Sequence, residues 1–307
     1  MKSPFSNRNK SPVHAARRLR AACLCAALLG HSAQSVRADV TNLIAVADTT
    51  LQDDPTLANL NYGLDDGIRA GGRQQPGKAR GLLRFDLAGS IPAGATINSA
   101  TLTLTVIATP TLPVDSTFEV HRVLAEWGEG TNVANPAVVG EASWNDRLGP
   151  GTPWSIAGGD FTATASAAQA ISGNGVYNFT SAGLAADVQM WVDNAGSNFG
   201  WLLRSESETM PITIRKFGSR ISLGSEPRLI IDYSTPTTIF GVALVGNQLR
   251  FSFNAQSNRT YTVEFRDSLA AGSWNSLTNL PAAPSNTTVH ITNTVSSDQR
   301  YFRVATP

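Results

Sequence analysis

The spacing of basic residues offers the first chemistry. Arg69, Arg73, Lys78, Arg80 and Arg84 fall within 16 residues with no intervening acid. A second group, Arg204, Arg215, Lys216, Arg220 and Arg228, is interrupted by Glu206, Glu208 and Glu226. Guanidinium forks pair with carboxylates through two parallel bonds. A face built from Arg69, Arg73, Lys78, Arg80 and Arg220 therefore suits a chain of acidic sugars. The competing reading is a solvated strand face with a few ion pairs, because alternation along a strand throws neighbours onto opposite faces. Tryptophan is the other candidate. Trp144 and Trp154 lie in the Gly/Pro-rich stretch from Gly128 to Gly159. Loops of that kind carry binding groups, and an indole can lie on the apolar side of a ligand. Core packing or anchoring of the loop is the better reading of both. Trp127, Trp191 and Trp201 sit in apolar contexts and read as core.

Catalytic signatures are scarce. There is no HExxH, no G-x-S-x-G and no phosphate loop, so the zincin, hydrolase-elbow and nucleotide chemistries lose their usual markers. Glu126 and Glu129 have the spacing of two nearby loop acids, which is commonplace. A polysaccharide lyase would take its base from Tyr62 or His121. His121 lies in the strand-like run Phe118–Val123, where a packed side chain is the better reading.

Seven of the 24 Lys and Arg residues, and none of the 23 acids, fall in residues 1–38. The other 269 residues are therefore at −6, which disfavours nucleic acid as a partner. The first 38 residues read as a secretory signal peptide. A basic stretch through Arg20 precedes the apolar run Ala21–Gly30, and Val36-Arg37-Ala38 presents small residues at a cleavage site. The run is too short to span a bilayer, and no later stretch is long enough. Both cysteines lie in this segment. The expected product begins at Asp39, is secreted or periplasmic, and has no disulfide.

Short β-patterned runs between Gly, Pro, Asn and Asp clusters fill the rest. From Ile97 to Ile107, Ala100, Leu102, Leu104 and Val106 alternate with Thr101, Thr103 and Thr105, the mark of a half-buried strand. Leu83, Phe85 and Leu87 share one face of another. Leu184, Val188, Trp191 and Val192 recur at helical spacing behind a cap at Thr180 or Ser181. Ser234–Thr238 reads as a linker, since Pro236 blocks ladder bonding. Alternation restarts at Ile239. The expectation is an all-β chain: a jelly-roll-like sandwich with one short helix at 39–233, a linker at 234–238, and a smaller sandwich at 239–307.

An ordered set of segments resembles the DNRLRE-type domain, carbohydrate-binding module family 96. It runs from Val46-Ala47-Asp48-Thr49-Thr50 and Asn61-Tyr62-Gly63 to Arg80-Gly81-Leu82-Leu83-Arg84-Phe85-Asp86-Leu87 and Ile91-Pro92-Ala93-Gly94-Ala95-Thr96-Ile97. Ala125-Glu126-Trp127, Ala142-Ser143-Trp144, Gly200-Trp201-Leu202-Leu203 and Glu226-Pro227-Arg228-Leu229 follow. The family often carries Ser-Arg-Glu near its end, whereas this chain has Ser219-Arg220-Ile221. The tail, with Thr260–Leu269, Trp274 and Arg300–Val304, is similar to a small fibronectin-like domain. The first resemblance implies a jelly roll that binds polysaccharide, including uronic-acid polymers such as alginate, and the missing catalytic signatures point to binding without catalysis. Jelly-roll modules of this kind commonly hold a structural calcium where the first and last strands meet, which makes Asp48 and Asp232 candidates, with Asp53, Asp54, Asp65 and Asp66 as further donors; isolated surface carboxylates are the better reading, and no other cofactor is expected. A structural or adhesive surface protein is the alternative, and a lyase comes third.

Overall fold

The computed structural model describes residues 39–235, 237–270, 272–295 and 299–305. The predicted signal segment, residues 1–38, lies outside them. The chain is all-β with one α-helix and one short 3-10 turn (Ala195–Ser197) among the described residues, and it divides into two compact units between Thr238 and Ile239.

The first unit opens with β1 (Asp39–Ile44), β2 (Ala47–Asp53), the short β3 (Leu60–Asn61), β4 (Gly67–Gly72) and β5 (Lys78–Arg84). It continues with β6 (Thr96–Ala108), β7 (Ser116–Arg122), the short β8 (Asn135–Pro136), β9 (Ala167–Ile171) and β10 (Gly175–Thr180). After α1 (Ala182–Asp193) come β11 (Trp201–Ser205), β12 (Arg215–Gly218) and β13 (Arg228–Ser234). Apart from β3 and β8, which pair with each other, these strands form one antiparallel sheet that curls on itself in the order β1-β13-β6-β12-β4-β5-β11-β7-β9. β10 adds to the other edge of β6, and β2 to that of β5. The corner lies at Gly71 and Gly72, where β4 leaves β12 for β5. Gly71 has φ +112°, and a Cβ on Gly72 would lie 2.0 Å from the Met210 carbonyl oxygen, so side chains are excluded there.

β6 explains its own sequence. Leu102, Leu104 and Val106 are buried while the threonines between them are half-buried. Ile97 is also buried, yet it is out of phase with Ala100. Asn98 is the extra residue of a bulge, because Tyr233 pairs with Ile97 and Asp232 with Ser99. Ser234, read as the first linker residue, instead closes β13 opposite Thr96. Ser181 caps α1 by accepting from the Leu184 N–H at 3.0 Å. Leu184, Val188 and Trp191 then close the main core, with Trp191 lying 4.5 Å from Trp201 between ring centroids.

β2, β5 and β11 are buried on both faces, which is why β5 reads as a nearly continuous run rather than an alternating one. Leu83 and Phe85 face the main core. Leu82 faces a second core with Leu51, Trp127, Trp144, Trp154 and Leu202, covered by the long segment after β7.

The second unit holds β14 (Ile239–Val245), β15 (Gln248–Ala255), β16 (Tyr261–Arg266), β17 (Asn275–Leu280), β18 (Thr287–Thr294) and β19 (Tyr301–Ala305). The sheets β14-β15-β18 and β17-β16-β19 enclose a core of Phe251, Phe253, Tyr261, Val263, Ile291, Phe302 and Val304.

Candidate functional site

Period-two alternation puts Lys78, Arg80, Leu82 and Arg84 on the same face of β5, toward the second core. There Arg80 lies over Trp144, 4.9 Å from guanidinium carbon to ring centroid, and 5.2 Å over Phe161. Lys78 approaches the same indole at 5.7 Å. Arg84 stacks at 5.5 Å on Trp127. Lys78, Arg80 and Trp144 open on a surface cleft of about 580 Å³, within the range of small-ligand sites. Its walls are Leu124-Ala125 and the segment Ser155–Phe161.

The far wall is held by its own backbone. Asp160 accepts from the Ser155 and Ile156 N–H groups at 3.0 and 3.1 Å, and its carbonyl accepts from Leu124 N–H at 2.8 Å. Gly158, at φ +93°, passes so close that a Cβ would meet Trp144 Cζ2 at 2.6 Å and Arg80 Nη1 at 2.8 Å. Ile156 and Leu124 stay exposed, at 74% and 50%, and provide the apolar rim.

Charge in the cleft is organised by Glu208, a residue that sequence reasoning grouped only as a diluting acid. Arg80 donates to it through Nε and Nη2, at 3.0 and 2.7 Å, and through Nη1 to the Gly158 carbonyl at 2.8 Å. Lys78 Nζ and Arg204 Nη2 lie 3.5 and 3.7 Å from the same carboxylate. Burial pushes the Glu208 pKa up, but Arg80, Arg204 and Lys78 outweigh it and hold the carboxyl below its ordinary value. Lys78 Nζ makes ion pairs with Glu208 and, at 3.9 Å, with Asp53, both beyond hydrogen-bond length. Its donors therefore remain available at the mouth.

The other candidates go elsewhere. Arg69 pairs with Asp65 at 2.6 Å and Arg73 with Asp54 at 3.1 Å, neither on the cleft. Arg220 grips Glu129, with Nη2 2.9 Å from Oε2. Arg215 is fully buried and donates to the carbonyls of Ser172, Thr213, Ile214 and Val114, so it is a staple between segments. Trp154 is 4% exposed with its indole N–H on the Ser143 carbonyl at 2.9 Å, and Trp144 is 6% exposed. Neither ring is an open stacking platform: Trp154 anchors the loop and Trp144 floors the cleft.

The calcium expectation does not fit these residues. Asp232 accepts from Asn98 Nδ2 at 2.7 Å on the outer sheet face, opposite Val40. Asp48 is 1% exposed in β2 and accepts from the Arg220 N–H at 2.5 Å, while its own N–H donates to Glu129 Oε1 at 2.8 Å. The Arg220 guanidinium, bound to Glu129, supplies the positive charge near Asp48. No cluster of three or more His, Cys, Asp or Glu suited to a metal occurs among the described residues. Burial, followed by the charges of Glu129 and Asp65 against the opposing pull of Arg220, pushes the Asp48 carboxyl up to about 7.

His121 is 3% exposed, with Nδ1 2.8 Å from the Thr162 carbonyl, Nε2 3.2 Å from Glu119, and its ring edge-on to Phe161 at 5.2 Å. It is packed, as its strand context implied. Glu129 is occupied by Arg220, so it does not stand with Glu126 as a free carboxylate pair. The chain matches no protein-family model, and no curated protein matches it.

Proposed function

We propose that this chain is an exported, noncatalytic polysaccharide-binding protein whose first unit takes sugar at the Lys78–Arg80 cleft. The carrying observation is the convergence there of an ammonium with available donors, a guanidinium fixed by Glu208 and Trp144, and the apolar rim of Ile156 and Leu124. Sugar rings offer both C–H faces and hydroxyl groups, and such a mixed lining complements both. The ordered resemblance to the DNRLRE-type domain supports the same reading. Lys78 is the group that would favour a uronate, since Arg80 is already matched by Glu208.

The test is a panel of alginate, polygalacturonate and laminarin offered to the wild-type chain and to Lys78→Ala. Binding to an acidic polymer that weakens severalfold in Lys78→Ala and with added salt supports the uronate preference. Binding to laminarin alone, insensitive to salt, moves the specificity to neutral sugar. A second reading, a structural or adhesive surface protein, is favoured by the ion pairing of the first unit. Among its described residues, every Lys and Arg except Arg84 and Arg147 has a carboxylate within 4 Å. Absence of binding to every polymer supports that reading.

A further inference from the structure

The two units differ in charge. Residues 39–238 carry 12 Lys and Arg against 20 acids, whereas residues 239–307 carry five Arg against three acids. In the second unit two of these five arginines, Arg266 and Arg303, lie on the outer face of the sheet β17-β16-β19. Glu264 pairs across the sheet with Arg303, and Arg266 with Tyr301, so Arg266 and Arg303 are diagonal neighbours. Leu277 is the extra residue of a bulge between the Val263–Thr278 and Glu264–Ser276 pairs. Trp274 then falls one residue beyond the Phe265–Asn275 pair, next to Arg266. Its indole has both guanidinium carbons 4.5 Å from its centroid.

The two arginines are not equivalent. Arg303 is tied to Glu264, Nε to Oε2 at 2.5 Å. Among the described residues no carboxylate lies within 4 Å of the Arg266 guanidinium, Glu264 on the same face being engaged by Arg303, and the buried Arg266 Nε has no hydrogen-bond partner. A guanidinium pinned on an aromatic ring has lost its rotamer freedom before any ligand arrives, and its fork is shaped for an oxyanion. With two cations on the indole, the ring is no stacking platform for a base, which argues against single-stranded nucleic acid.

We infer that the Arg266–Trp274–Arg303 face is an oxyanion-binding site that takes a carboxylate or sulfate ester carried on a polysaccharide. It lies in a different unit from the cleft; the oxyanion chemistry stands on its own, and only the choice of a polysaccharide as carrier rests on the proposed function. The probes share one backbone: dextran, carboxymethyl-dextran and dextran sulfate, with an oligothymidylate alongside, offered to the full chain. Retention by either charged dextran and not by plain dextran is expected, the stronger retention naming the oxyanion. Arg266→Gln should weaken that retention about tenfold, the worth of one charge-assisted hydrogen bond. Arg266→Lys keeps charge and stem, should melt with the parent, and should still bind severalfold more weakly because the fork is gone. The inference is overturned if neither charged dextran is retained, if both variants retain them like the parent, or if plain dextran is retained equally. Tighter binding of oligothymidylate than of dextran sulfate overturns it in favour of nucleic acid.

Discussion

Replacing Asp48 by asparagine tests the electrostatics of the first unit. The carboxyl sits in β2 between the Arg220 N–H and the side chain of Glu129, which Arg220 also holds. Asp48, Glu129 and Arg220 together carry net charge −1 when Asp48 is ionised, and Asp65 adds to the repulsion. A pKa raised from 3.8 to about 7 means the folded chain holds a proton that the unfolded chain has released. Stability therefore falls as pH rises from about 4 to about 7, and the full cost, about 4 kcal/mol, applies above 7. The amide side chain keeps the shape of the carboxyl and cannot ionise. Thermal unfolding of parent and Asp48→Asn, followed by circular dichroism from pH 4 to pH 8, should give near-equal melting temperatures at pH 4. At pH 8 the variant should melt about 8–16 °C higher, at roughly 2–4 °C per kcal/mol. A variant that melts lower at pH 8, or whose difference from the parent does not change with pH, would refute the reasoning.

Gly158→Ala should push Trp144 and Arg80 out of place, lowering stability by about 1–3 kcal/mol and distorting the cleft; differential scanning calorimetry and polysaccharide binding check both effects. Asp187 accepts from the Trp201 indole at 2.8 Å and from Ser166, and pairs with Arg122 at 3.0 Å. Asp187→Ala should cost about 3–5 kcal/mol by leaving buried partners unmatched, read from urea unfolding. Glu208→Gln removes the carboxylate that Arg80 and Lys78 share and should destabilise by a similar amount. The same substitution should raise the salt sensitivity of any polyanion binding, as seen in titrations at two ionic strengths.

Much of the scaffold was legible because local physics writes it. Alternation in β6, the helical stripe of α1 and the apolar settings of Trp127, Trp191 and Trp201 all follow from burial of one face. The bulge at Asn98 was not read: the sequence pattern passes for one alternating run from Ile97 to Ile107, although Ile97 and Ala100 are out of phase. Ion pairing was not legible, because Arg80 meets Glu208 and Arg220 meets Glu129 across 128 and 91 residues. Such partners are set by how the sheet curls at Gly71 and Gly72, and no short motif encodes that. The five-residue cation group was therefore split: Lys78, Arg80 and Arg84 share a face of β5, while Arg69 and Arg73 belong to β4 and its exit. The loop tryptophans turned inward for the same reason, since the segment covering β5 needed a core of its own.

Mapping of ligand contacts by amide chemical-shift changes tests the central claim most directly. The ¹⁵N-labelled chain would be titrated with alginate and laminarin hexasaccharides. Saturable shifts concentrated at Lys78–Arg80, Leu124-Ala125 and Ser155–Phe161 are expected with at least one of them. Saturable shifts that leave those segments unmoved, or no shifts with either sugar, would contradict the assignment of polysaccharide binding to the cleft.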